Sequence, residues 1–186
     1  MLPEDFHNRA RLRRIFGQYD LALKDHARAI ALAPEETRVY QGRALTCRMS
    51  GDTDGAIEDF ARMAELDPEW FLQAQLWIWE IRMLRDGPGD RAAAGQALAA
   101  ARSRASRPFD VAMVGLSLGE VSPDRALIEA KTDRLKCVAH YYIGAQLLVE
   151  GRGDAAKRHF EQSVAGAHDL PESDLARWHL SRRTDP

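Results

Sequence analysis

Cysteine, lysine and residues branched at Cβ are all scarce in this chain, and each scarcity removes a class of protein. Only two cysteines occur in 186 residues, Cys47 and Cys137, ninety positions apart and with no CxxC pair. That excludes a disulfide framework and a zinc ribbon, and two buried thiols are the expectation. No stretch approaches the ~18 apolar residues of a membrane span. Net charge is scarce too, at −2 with a pI of about 6.3, so no global field recruits nucleic acid or an anionic bilayer. The first residues, "MLPEDFHNRARLRR", hold neither an apolar signal core nor a lipid-accepting cysteine. As given, the chain reads as cytoplasmic; removal of an upstream signal would make it periplasmic or envelope-associated. Valine, isoleucine and threonine are sparse against abundant alanine and leucine, which points to helix. Arginine outnumbers lysine 22 to 4, a bias of base composition before it is one of chemistry.

What is present is a phrase written twice. "GQYDLALKDHARAIALAP" (residues 17–34) returns as "GDTDGAIEDFARMAELDP" (51–68), with eight of eighteen positions identical at a spacing of 34. The shared residues include Gly17/Gly51, Ala22/Ala56, Asp25/Asp59, Arg28/Arg62 and Pro34/Pro68. Apolar residues in the second copy (Ala56, Ile57, Phe60, Met63, Ala64) fall on one helical face. Glycine ends a preceding helix, Asp54 stands where an N-cap belongs, and proline closes the unit. A second helical stretch lies upstream of each phrase, so the unit is helix, turn, helix, proline.

A 34-residue period with small residues where the helices cross resembles the tetratricopeptide (TPR) repeat family. In its frame, repeat 1 covers 3–36 and repeat 2 covers 37–70, with His26 in place of the aromatic that Phe60 supplies. A divergent helix pair follows over 71–106, with "DGPGD" as its turn, and an irregular pair over 108–135. A clear repeat returns over 137–170, where Ile143-Gly144, Gly151, Ala156 and Phe160 match the family pattern. Residues 171–183 read as a capping helix. The expected fold is therefore an all-α, TPR-like helical-hairpin solenoid in a single domain, with an irregular middle. Residues ~70–183 are also similar to the C-terminal half of the NlpI-type bacterial TPR lipoproteins. That resemblance implies a scaffold for proteases or peptidoglycan hydrolases, often homodimeric.

The family resemblance also implies which positions face a concave groove. Arg14, Arg48 and Arg82 recur there at a spacing of 34, with Gln41 and Gln75 about two turns away and Arg11 and Trp79 at a third position. Recurring guanidinium groups beside amides and one flat aromatic suit an extended acidic peptide or a chain's terminal carboxylate. Each arginine also has a plainer reading, solvation of the surface or pairing with a neighbouring glutamate. The chaperone-binding carboxylate clamp is not matched, because Arg11 and Gly42 stand where asparagines are expected. Trp77 and Trp79 lie two residues apart and so on opposite helix sides. One is expected in the core and the other exposed or at a dimer seam, the alternative being that both pack under "FDVAMVGLSLG".

Catalysis has little support. Cys137 and His140 share a helical spacing, but a thiol–imidazole nucleophile needs an orienting third group and a metal needs further ligands. His140 reads more plainly as a packed histidine. No catalytic residue, metal ligand or cofactor is assigned. The basic runs "RARLRR" (9–14) and "ARSRASR" (101–107) match no nucleic-acid motif. The expected partner is another protein, with a homodimer as the further alternative.

Overall fold

Alanines set how closely the first helices approach. The structure, a computed structural model, describes residues 2–85, 88–166 and 169–182, and among these every regular element is helical. Its contacts divide into two compact units, Met1–Ile81 and Arg82–Pro186. The first holds α1 (Pro3–Ile15), α2 (Tyr19–Leu32), α3 (Thr37–Ser50), α4 (Thr53–Leu66), a 3-10 turn at Pro68–Trp70 and most of α5 (Phe71–Leu84). Helix α1 packs on α2, α3 on α4, and α2 on α3, so the hairpins stack as TPR-like repeats. Ala10, Ala22, Ala44 and Ala56 are fully buried. With only a methyl group at these positions, the two axes of each hairpin can come close together.

The turns repeat as faithfully as the helices. Gly17 and Gly51 have φ of 70° and 95°, a left-handed conformation that a Cβ disfavours. After Gly51 the backbone N–H of Asp52 returns to the Cys47 carbonyl at 2.9 Å, and after Gly17 that of Gln18 returns to Arg13 at 2.8 Å. Asp52, not Asp54, caps α4: its carboxylate accepts the Gly55 N–H at 3.0 Å. The helix starts at Thr53, which leaves Asp54 inside the first turn, where its charge meets the helix dipole.

Two ion-pair systems fasten unit 1. Within each hairpin a bidentate clasp closes over a buried carboxylate. Arg9 Nε and Nη2 donate to Asp25 at 2.6 and 2.7 Å, and Arg43 Nε and Nη2 donate to Asp59 at 2.7 and 2.6 Å. Arg13 adds a third bond to Asp25 at 2.6 Å. Between hairpins, Arg14 Nη1 donates to the Gly42 carbonyl at 3.4 Å. Arg48, one repeat later, donates through both terminal nitrogens to Glu80, Nη1 at 3.0 Å, with both side chains buried. The Trp77 ring lies 4.8 Å from Phe60. Contrary to the division into one core and one exposed tryptophan, Trp77 and Trp79 are both buried. The reason is visible along α5: residues 76–81 are buried consecutively, so this stretch of the helix is enclosed on every side, while Gln75 and Arg82 at its ends are half-buried.

Unit 2 contains α6 (Pro88–Ala101), a 3-10 turn at Arg102–Arg104, α7 (Pro108–Ser117), α8 (Pro123–Glu129), α9 (Asp133–Val149), α10 (Gly153–Gly166) and α11 (Pro171–Ser181). The turn expected in "DGPGD" falls at residues 86–87, outside the described residues. Ser122 caps α8 by accepting the Arg125 N–H at 3.3 Å, with Pro123 opening the helix. Helices α9 and α10 form the expected late hairpin, in which the Phe160 ring occupies the space a side chain at Gly144 would need. Helix α11 packs on both of them, as a capping helix should.

Arg48→Met and Glu80→Leu, made singly in the full chain, should each lower unfolding free energy by about 3–5 kcal/mol, since each strands a buried charge. The double variant should recover most of that loss. Urea denaturation of the four proteins measures the cycle, and additive losses would show that the pair does not act as a unit.

Candidate functional site

The seven residues read as groove contacts separate by burial. Arg14, Arg48 and Trp79 are buried, Gln41, Gln75 and Arg82 are half-buried, and Arg11 is exposed. Arg14 and Arg48 turn their guanidinium groups to the next repeat, as described above. The plainer reading, an arginine paired with a glutamate, is the one Arg48 follows.

Next to this strip in unit 1 lies a histidine pair. His26 is fully buried in the place where Phe60 sits in the second hairpin, and its ring meets His7 edge-on at 5.6 Å. Gly42 makes the room: a Cβ there would fall 2.5 Å from His26 Cε1 and 2.9 Å from His7 Cε1. Burial pushes the His26 imidazole down to about 3, helped by the charges of His7, Arg14 and Arg43 and opposed by Asp25. His7 shifts the same way, again chiefly through burial. A cavity of about 320 Å3 opens beside His7, lined by Leu2, Pro3, Glu4, Asn8, Ala33, Glu36, Arg38 and Val39. Its charged groups have both signs, and Arg38 is already bonded to Glu36 at 3.0 Å.

Unit 2 has a second histidine pair. His140 Nδ1 and His159 Nδ1 lie 2.9 Å apart, a contact in which one neutral ring donates to the other. Burial lowers the pKa of both, which keeps them neutral. The late hairpin repeats the second at an offset of 100: Gly51/Gly151, Ala56/Ala156, Phe60/Phe160. In that register His159 replaces Asp59, the acceptor of the arginine clasp, while Ile143 stands in the place of Arg43 and His140 in that of Tyr40. His140 is thus engaged with His159. The Cys137 thiol is buried, with its pKa raised chiefly by that burial, the opposite of what a nucleophile requires. Among the described residues no group of three or more His, Cys, Asp or Glu side chains could hold a metal ion, and no helix is long and apolar enough to cross a membrane.

The larger cavity of unit 2, about 490 Å3, was not marked by any sequence motif. Leu84, Leu148, Phe160 and Leu180 give it apolar walls, and Lys157 and Arg182 supply two exposed cations. No carboxylate belongs to its lining among the described residues. His179 stacks flat on Phe160, with centroids 4.7 Å apart and planes within 4°, and so fixes one wall. The Arg182 guanidinium rests 4.7 Å above the Trp178 ring, which holds a flexible cation in place. These residues come from α5, α10 and α11 and the end of α9, so no single periodicity contains them. The only prior signal is the Phe160 match.

No protein-family model matches the chain, and no curated protein matches it. A solved structure described as "Crystal structure of MamA protein" is similar over 97% of this chain and 97% of its own, at 20% identity and a TM-score of 0.45.

A neutral His26 in the fold against an imidazole of pKa about 6.5 in the unfolded chain fixes the sign of a pH effect. The unfolded state binds the extra proton, so stability is full above pH 6.5 and falls as pH drops toward 3. His26 alone should cost about 2 kcal/mol between pH 7.5 and pH 5. His26→Phe, which installs the residue type found at positions 60 and 160, should remove that part of the slope. Denaturant titrations at the two pH values test this, and an unchanged slope would assign the dependence to other groups.

Proposed function

We propose that this protein is a non-catalytic interaction scaffold whose unit 2 cavity takes an acidic segment of another protein, seating an apolar side chain of it. One observation carries the reading: apolar walls and two exposed cations line one space, with no carboxylate among the described residues opposing them. Apolar burial supplies affinity there, and Lys157 and Arg182 select for a carboxylate, from an acidic side chain or a chain terminus. Stacking of His179 on Phe160 and of Arg182 on Trp178 keeps the walls in place before the ligand arrives, which reduces the ordering cost of binding. Independently of that cavity, Arg11, Gln41 and Gln75 of unit 1 and Arg82 of unit 2 remain candidate contacts for a peptide. Arg14, Arg48 and Trp79 then act as supports within unit 1.

A second reading follows from the order of elements in unit 2. Short helix α7, the break before the Ser122-capped α8, the α9–α10 hairpin and a closing α11 keep the order that resembles the NlpI-type scaffolds. In that reading the acidic segment belongs to a protease or cell-wall hydrolase.

Peptides selected by phage display against the whole chain should be acidic with an apolar anchor. The Lys157→Glu/Arg182→Glu variant should bind them about tenfold or more weakly, a loss of at least ~1.4 kcal/mol. Fluorescence polarisation of labelled peptides reads this directly. Equal affinity for both proteins would remove the cavity from the function, and a selective loss in Arg11→Glu would move it to the first repeats.

A further inference from the structure

The register shared by hairpin 2 and the late hairpin extends into the helix that follows each. Helices α4 and α10 begin at Thr53 and Gly153 and end at Leu66 and Gly166, while α5 and α11 begin at Phe71 and Pro171, always at an offset of 100. The turns match as well: the Asp52 N–H returns to the Cys47 carbonyl at 2.9 Å and the Arg152 N–H to that of Leu147 at 2.8 Å. In this register the buried ion pair that joins hairpin 2 to α5, Arg48 with Glu80, corresponds to Leu148 with Leu180. Both leucines line the unit 2 cavity. Positions that touch in the one repeat thus border a single open space in the other.

What differs is the filling. In repeat 2 a guanidinium and a carboxylate meet, their side chains 3% and 0% exposed, and the Trp77 ring closes on Phe60. In the late repeat the two leucines are shorter, carry no charge and are half-buried. The ring against Phe160 is the smaller imidazole of His179. About 490 Å3 is left open, within the range of roughly 300–1,000 Å3 typical of ligand pockets. An apolar seat of this kind gains from an aliphatic side chain. It rejects a charged one, which would lose its water and find no partner there. We infer that Leu148 and Leu180 determine the specificity of the cavity: the seat that Arg48 and Glu80 fill from within the chain is left, in the late repeat, for an aliphatic anchor of the bound segment. Lys157 and Arg182 are exposed and line the same space, so the acidic group of the segment flanks the anchor instead of entering the seat. The inference rests on the reading of the cavity as a peptide site and adds the chemistry of the anchor and the residues that select it.

Selected peptides remade with leucine, glutamate or arginine at the anchor, read by fluorescence polarisation against the whole chain, test it. The wild type should favour leucine over either charged anchor by about tenfold or more. Leu148→Arg should reverse that preference toward glutamate, because the peptide then supplies the missing half of the pair. Adding Leu180→Glu completes the pair within the chain, so the Leu148→Arg/Leu180→Glu variant should bind all three peptides about tenfold or more weakly than the wild type binds the leucine form. Urea denaturation shows which variants are folded. Where the charged ones are not, Leu148→Ala and Leu180→Ala take their place, and each should weaken the leucine peptide about threefold or more. A wild type indifferent to the anchor would overturn the inference. So would seat variants that bind as the wild type does while Lys157→Glu/Arg182→Glu does not, an outcome that leaves the cavity in the function. Unchanged affinity in both sets of variants would overturn the peptide site itself.

Discussion

Two helices can touch along their backbones only where neither carries more than a methyl group. Ala10 with Ala22 and Ala44 with Ala56 meet that condition in successive hairpins, all four fully buried. Much of unit 1 follows from it. A close crossing leaves no volume for long side chains at its centre, so the ionic groups that join the helices sit to the side. There Arg9 and Arg43 reach around to Asp25 and Asp59 with the same two-bond geometry. Because the carboxylates are buried and the arginines only partly so, water screens the cation more than the anion. The clasp is therefore more valuable for holding Asp25 ionised and in place than for net stabilisation. The Arg9 hydrogen bond indeed holds the Asp25 carboxyl below its ordinary pKa.

The same close packing explains why the first hairpin tolerates a histidine. A bulky ring at position 26 must find space on the next repeat, and Gly42 provides it. In exchange, the imidazole must remain neutral. Hairpin 2 fills the equivalent place with Phe60 against Trp77, and the late hairpin with Phe160 against Gly144. One position thus has three solutions, each a large flat ring paired with whatever the neighbouring helix leaves open.

The hairpins were legible in the sequence because their determinants are local: a glycine that turns, an alanine at each crossing, a proline that stops. The meaning of the period was harder to read. Arg14, Arg48 and Arg82 recur at 34 residues, and that regularity suggested a ligand strip. Yet strict recurrence is what packing demands, since each repeat must meet the next in the same way, while a ligand imposes no such rule. Arg14 and Arg48 accordingly bond the following repeat. The clasp itself had a period-34 signal, Arg9/Arg43 with Asp25/Asp59, but half of it lay upstream of the repeated phrase. The Asp54 cap was misplaced by two residues because a turn can deliver either aspartate to the helix start, and only the backbone path chooses between them.

What the sequence could not display is the unit 2 cavity, and the reason is geometric. Its lining runs from Leu84 to Arg182 over four helices, with a gap of 64 residues between Leu84 and Leu148, so no window of periodicity contains it. A repeat fold constrains positions that pack and leaves the remainder to vary, and the positions that vary are the ones available for recognition. The distribution of ionisable groups follows that division in this chain. Buried Asp25, Asp59 and Glu80 each meet an arginine across a packing contact, as Glu80 does with Arg48. Lys157 and Arg182, with no carboxylate beside them in the cavity lining among the described residues, are exposed and border an apolar space. That difference in setting, rather than any motif, separates charges that hold the fold from charges that can meet a ligand.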